Sequence, residues 1–157
     1  QEMAIDHGIY SIWPFLMPLP WETPIVPLAV NVIQHPLPTA RRCFNIGAAI
    51  ARAIESYDDA RVVVIATGGM SHQLHGEDFG HVNPEWDNEF LDLLETDPAA
   101  LCQLDHLEYM RRGGAESVEV IMWLAMRGAM GAEVRRVHRA YFAPLLTGYG
   151  LVCFEPG

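Results

Sequence analysis

The segment RVVVIATGGMSHQLHG, Arg61 to Gly76, runs an apolar stretch into a glycine pair and then a histidine. Val62, Val63, Val64, Ile65 and Ala66 form a continuous, mostly β-branched run, the pattern of a strand covered on both faces of a parallel sheet. Gly68 and Gly69 remove the side chains that would hold other groups away, so the backbone can turn sharply and lie close to a ligand. Ser71, His72 and Gln73 follow at the carboxyl end of the predicted strand, where open α/β sheets place their ligands. On this segment alone, a strand followed by an ordinary loop with a surface histidine reads equally well.

Working outward, Ile25–Ile33 (IVPLAVNVI) predicts an earlier strand, with Pro27 near its start or on an edge. Thr39 is the expected N-cap of a helix from Ala40 to Tyr57, whose apolar face would be Ile46, Ala49, Ile50, Ala53 and Ile54. Strand, helix and strand make a right-handed βαβ unit. Before it lies a segment rich in Pro and aromatics, in which Trp13, Phe15 and Trp21 call for burial. Beyond His72, Asn83-Pro84 starts a helix to Glu95 with Trp86, Phe90, Leu91 and Leu94 as its buried stripe. Asp97 and Asp105 cap two shorter helices, to about Gln103 and Arg112. A helix over Ala115–Arg127 is apolar nearly all round, which makes Glu116 and Glu119 conspicuous, because a buried carboxylate is costly unless paired or bound to a metal. Val134–Phe142 and Leu151–Phe154 complete the pattern as strands. The expected fold is therefore α/β, a mostly parallel sheet flanked by helices, in a single domain spanning residues 1–157.

Half of the 157 residues are apolar, enough for a real core, and no apolar run approaches a membrane span. The net charge of −10 with every base an arginine argues against nucleic acid or an anionic membrane as partner. Cys43, Cys102 and Cys153 are isolated and lack CxxC spacing, which fits a reducing cytoplasm and supports neither a disulfide framework nor a cysteine metal site. The chain starts at Gln1 without an initiator Met, so a fragment is expected.

No GxSxG, P-loop, GxGxxG, HExxH or CxxC motif is present. What remains is a dispersed set of His7, His72 and a buried glutamate, of the kind used by non-haem iron sites, although such a glutamate can equally pair with an arginine.

The runs PTARRC (Pro38–Cys43), TGGMSHQLHG (Thr67–Gly76), NPEWDNEFLDLLETDP (Asn83–Pro98), RRGGAESVEVIMWLAMRGAM (Arg111–Met130) and VHRAYF (Val137–Phe142) are more specific. Together they resemble the class III extradiol ring-cleaving dioxygenases, the family of the protocatechuate 4,5-dioxygenase catalytic β subunit and of gallate dioxygenase. The resemblance is collinear over nearly the whole chain. It implies a mononuclear Fe(II) held by two histidines and one glutamate, with a further histidine as acid and base. By motif, the catalytic histidine falls on His72, the iron-binding glutamate on Glu119 and the DHG histidine, near oxygen and substrate, on His7. Glu116 then becomes a supporting residue or salt-bridge partner. The family's two iron-binding histidines would lie upstream of Gln1, in a preceding segment or a companion chain, making residues 1–157 the C-terminal half to two-thirds of the subunit. His35, His75, His81, His106 and His138 match no ligand motif and read as surface or loop histidines, with His138 partly buried.

The implied reaction is meta cleavage of a carboxylated catechol such as protocatechuate with O2, giving a muconic semialdehyde. Leu145 and Leu146 stand where protocatechuate-cleaving members carry a small hydroxyl residue, which leaves Thr147 as the candidate substrate-binding hydroxyl and opens gallate or 3-O-methylgallate as alternatives. A small α subunit and an oligomer are expected partners. Two other classes stay open: a non-catalytic interaction protein of the same fold, and a structural half that works only beside another polypeptide.

Overall fold

The protein is described by a computed structural model covering residues 4–32, 34–57, 59 and 61–157; Ile33, the predicted end of the first strand, lies outside them. The chain divides into two compact units, Gln1–Val30 and Asn31–Gly157.

In the first unit the Asp-His-Gly segment opens a helix. The Asp6 carboxylate accepts the Gly8 amide at 2.8 Å and caps α1 (His7–Tyr10). After α2 (Trp13–Leu16) the chain is irregular, with Tyr10 and Trp21 in edge-to-face contact at 6.3 Å. Trp13 is buried as expected, whereas Phe15 is 88% exposed. The two are only two positions apart on one turn of helix, so they point to different sides and cannot share one covered face.

The second unit is built on capped helices. Thr39 accepts the Arg42 amide at 3.1 Å and starts α3 (Ala40–Glu55). Its buried residues are Ala40, Cys43 and Gly47, not the larger aliphatics predicted above. The cause is the partner helix, α7 (Trp123–Ala129): a side chain at Gly47 would overlap the Ala125 carbonyl, and one at Gly128 the Phe44 carbonyl. Small residues let the two backbones meet, so the contact face is set by size and not by hydrophobicity.

Asn83 caps α4 (Pro84–Thr96) by accepting the Trp86 amide at 3.1 Å, and Trp86, Phe90, Leu91 and Leu94 are buried as their spacing requires. Asp97 and Asp105 cap α5 (Pro98–Leu101) and α6 (His106–Gly113). The core forms where these helices meet: Trp86 packs edge-to-face on Phe90 at 6.0 Å and on Tyr109 at 5.9 Å, and the Tyr109 hydroxyl donates to the Leu101 carbonyl at 2.9 Å. Leu94 and Phe90 are fully buried, worth about 1.5–3 kcal/mol each.

The predicted helix over Ala115–Arg127 is two helices, a 3₁₀ segment (Ala115–Met122) followed by α7. Ser117 donates to the Gly114 carbonyl at 2.8 Å and contacts the Tyr109 carbonyl at 3.1 Å, which tightens the first turn. With three residues per turn, Glu116 and Glu119 lie on the same side.

β1 (Val134–Phe142) and β2 (Tyr149–Pro156) pair antiparallel, from Val134 opposite Pro156 to Phe142 opposite Tyr149, with a bulge between Arg136 and His138. Arg139 anchors this hairpin to α4, donating to Asn88 Oδ1 at 2.8 Å and pairing with Asp92. This is the one sheet among the described residues. The predicted mostly parallel sheet is not formed among them, and neither Ile25–Val32 nor Arg61–Gly69 belongs to a ladder. A parallel strand needs hydrogen-bonding neighbours along its edges, and without them Val62, Val63 and Ile65 remain 42%, 74% and 47% exposed. No helix of the described residues is long and apolar enough to cross a membrane.

Candidate active site

The turn after Thr67 is held group by group. Trp123 donates its indole N–H to the Gly68 carbonyl at 3.2 Å, and the Gly69 amide donates to Glu119 Oε2 at 2.9 Å. Met70 and Ser71 pair with Gly148, the Met70 amide reaching its carbonyl at 3.1 Å and the Ser71 carbonyl accepting its amide at 2.8 Å. The His72 amide donates to the Gly113 carbonyl at 2.8 Å, and His72 bridges Thr147 in antiparallel register. Two glycines make these approaches possible. Gly114 has φ +96, which glycine alone adopts without strain, and a side chain on it would overlap the His72 carbonyl. At Gly69 a Cβ would come within 2.7 Å of the His72 ring.

The result is a buried imidazole, 7% exposed, lying over Gly69 while the amide of that same glycine binds Glu119. The Nδ1 of His72 is 2.7 Å from the Met70 carbonyl oxygen. A carbonyl can only accept, so Nδ1 carries the proton in the neutral ring and Nε2 keeps its lone pair. The side chain is thus fixed in the tautomer that can take a proton at Nε2.

The two glutamates part company. Glu116 pairs with His75 at 2.9 Å and accepts the Leu74 amide at 3.2 Å. Burial raises its carboxyl pKa, but these hydrogen bonds together hold it below the usual carboxylate value. Glu119 has no arginine partner among the described residues, and only its Oε2 is engaged there. A half-buried carboxylate with one oxygen tied down and the other available is a hard, oriented oxygen donor, which suits a divalent metal. No group of three His, Cys, Asp or Glu able to hold an ion occurs among the described residues.

The structure therefore brings His72, Glu119 and Thr147 to one turn. His7 belongs to the first unit, where its exposed ring lies 3.4 Å from the Asp6 carboxylate. Leu145, beside Thr147, is 95% exposed at φ +58. Of the remaining histidines, His106 and His81 are partly buried against the Pro38 and Arg112 carbonyls, at 2.9 and 3.3 Å, whereas His138 is exposed and not partly buried as predicted. On a strand with one face on α4, His138 alternates with Arg139, which bonds α4, and so points outward.

One buried acid at this turn escaped the sequence reading. Asp87 is 1% exposed and accepts the Ser71 amide at 2.8 Å, the Ser71 hydroxyl at 2.6 Å and the Tyr141 hydroxyl at 2.7 Å. Burial, the Asp87 hydrogen bond and its charge push the Tyr141 phenol far up, so it stays a donor. The signal was available: Asp87 stands three, four and seven residues before Phe90, Leu91 and Leu94, on the buried stripe of α4.

The chain is 49% identical to gallate dioxygenase of Pseudomonas putida, over 99% of this chain and 46% of that protein. It is 27% identical to 2,3-dihydroxyphenylpropionate/2,3-dihydroxicinnamic acid 1,2-dioxygenase 1 of Pseudomonas putida, over 94% of this chain and 62% of that one. To the corresponding enzyme of Xanthobacter autotrophicus it is 24% identical, over 99% and 65%. The chain thus spans about half to two-thirds of the length of these curated relatives. The family described as the catalytic LigB subunit of aromatic ring-opening dioxygenase matches residues 1–152, and the chain belongs to that family.

Proposed function

We propose that this chain is the part of an extradiol dioxygenase that carries the proton-transfer histidine and the metal-binding glutamate, and that its substrate is a carboxylated catechol of the gallate type. The observation that carries the reading is the Gly68-Gly69 turn, which binds Glu119 through an amide and supports the His72 ring on the same residue. Proximity of a metal-ready carboxylate to a tautomer-fixed imidazole is what a deprotonation beside a metal requires. The 49% identity to gallate dioxygenase favours gallate over protocatechuate, as does Leu145 in place of a hydroxyl residue.

In this reading Glu119 holds Fe(II) together with two histidines supplied by an upstream segment or a companion chain, and both units are parts of one catalytic domain. The ion, when bound, supplies the electronic route between the ring diol and O2. His72 Nε2 takes a proton from a ring hydroxyl and then, as imidazolium, returns it from the same nitrogen while Nδ1 stays on the Met70 carbonyl. Thr147, held in register with His72, offers its hydroxyl to a ring substituent. His7 enters on its DHG motif, as a hydrogen-bond donor to oxygen or to a ring hydroxyl. The exposed run Val62–Ile65 becomes a covered parallel strand when the rest of the protein adds its neighbours. A cytoplasmic setting, and assembly as an oligomer or with a small α subunit, complete the proposal.

The test is oxygen uptake by the complete protein given gallate, 3-O-methylgallate or protocatechuate, before and after Fe(II) chelation. Uptake with ring-opened product, fastest on gallate and abolished by the chelator, is the expected result. Absence of uptake on every catechol by an iron-loaded protein would instead support a non-catalytic interaction protein.

A further inference from the structure

We propose that Asp87 is a positioning residue for His72, acting through Ser71 and Gly148; the proposal rests on His72 being the proton-transfer group. His72 is fixed at Nδ1 by the Met70 carbonyl, so the catalytic nitrogen is only as well placed as the Met70–Ser71 backbone. That backbone has two supports. Gly148 pairs with both residues, and Asp87 grips Ser71 at its amide, 2.8 Å, and at its hydroxyl, 2.6 Å. The supports are themselves joined at Asp87, since a Cβ on Gly148 would overlap Asp87 Oδ2, to which Tyr141 of β1 also donates at 2.7 Å.

The charge logic favours a role beyond packing. Ser71 is fully buried, Asp87 is 1% exposed, and no arginine pairs with Asp87 among the described residues. An ionised carboxylate in such a place is expensive unless its oxygens are filled, and here three donors fill them while the α4 N-terminus contributes its positive end. Ser71 Oγ works in both directions, accepting the Asn83 amide at 2.8 Å as it donates to Asp87. A hydrophobic side chain would serve simple packing better. The carboxylate instead collects β1, through Tyr141, and the residue before His72 onto two oxygens.

Asparagine at 87 keeps the shape but turns one acceptor into a donor that faces two hydroxyls, so the Ser71 grip loosens without a cavity. In the complete iron-loaded protein, Asp87→Asn is expected to lower kcat about 10- to 100-fold, the usual worth of such a supporting contact, with KM and iron content nearly unchanged. Because the effect passes through His72, the same change in a His72→Phe background should cost nothing further. A crystal structure of the variant should show the Nδ1 to Met70 carbonyl contact broken or lengthened. Ser71→Ala, which removes only the hydroxyl, gives the same pattern at smaller amplitude and serves if Asp87→Asn does not fold. An equal fold-loss in the presence and absence of the imidazole, or a variant with turnover and His72 geometry intact, overturns the proposal. If His72→Phe itself keeps full turnover, the acid and base assignment fails instead, and the variant structure still reports whether Asp87 positions the ring.

Discussion

The two halves of Arg61–Gly76 have opposite fates. Met70, Ser71 and His72 are at most 7% exposed and have their backbone groups matched to Gly148, Asp87 and Gly113, whereas Val62, Val63 and Ile65, a few residues earlier, are 42–74% exposed and belong to no ladder. The more hydrophobic half is the less buried one. Burial is decided by which partners are at hand: the turn rests on α4, the 3₁₀ segment and the hairpin, while Val62, Val63 and Ile65 have no ladder neighbour among the described residues. The turn can therefore be held group by group while the run that leads into it joins no ladder.

The sharpest way to break that contrast is Glu119→Gln. The amide oxygen still accepts the Gly69 N–H, so the turn should survive, but a neutral group is a far weaker metal donor. In the complete protein the expected result is loss of bound Fe(II) and of all ring cleavage, with the circular dichroism spectrum unchanged. An iron-replete Glu119→Gln protein would refute the site. Next in size is His72→Phe, which should leave iron near normal while turnover falls roughly 10²- to 10⁴-fold, the worth of a placed proton shuttle. Iron loss in that variant would make His72 a ligand instead.

How much of this was legible follows the same division. Thr39, Asn83, Asp97 and Asp105 each cap with their own side chain the amide three residues on, so the helix starts could be read from local sequence. The buried face of α3 could not, because Gly47 is chosen by the backbone of α7, more than seventy residues away. Val62–Ala66 looks like a strand by composition, and composition does not say whether a neighbour is present. His72 and Glu119 came from the family motifs; spacing left Glu116 and Glu119 equal, and it took the His75 pair to show that Glu116 is already occupied. Asp87 stood in the open as an acid on an apolar stripe.

Val63→Asp sharpens the contrast from the other side. If the complete protein covers the run as a strand, an unpaired carboxylate there should lower stability by more than about 3 kcal/mol in urea denaturation. If Val63 stays as exposed as its 74% here, the change should fall within about 0.5 kcal/mol, and the proposed parallel sheet loses its main support.

The smallest effect belongs to Glu116→Gln, and its sign with pH can be worked out. Glu116 is 25% exposed and its partner His75 86%, so the pair is wet and worth less than about 1 kcal/mol. The folded carboxyl is held below its ordinary value of 4.5, which means that the ionised form is the one the fold prefers. Its contribution is then fully present above that ordinary value and fades as the pH falls through the lowered one. Thermal denaturation should show wild type slightly more stable than Glu116→Gln near neutrality, with the two curves converging in acid. Both proteins should bind iron equally. A Glu116→Gln protein that loses its metal would mean that the ion sits on the His75 side of the 3₁₀ segment, and the separate roles given to the two glutamates would have to be exchanged.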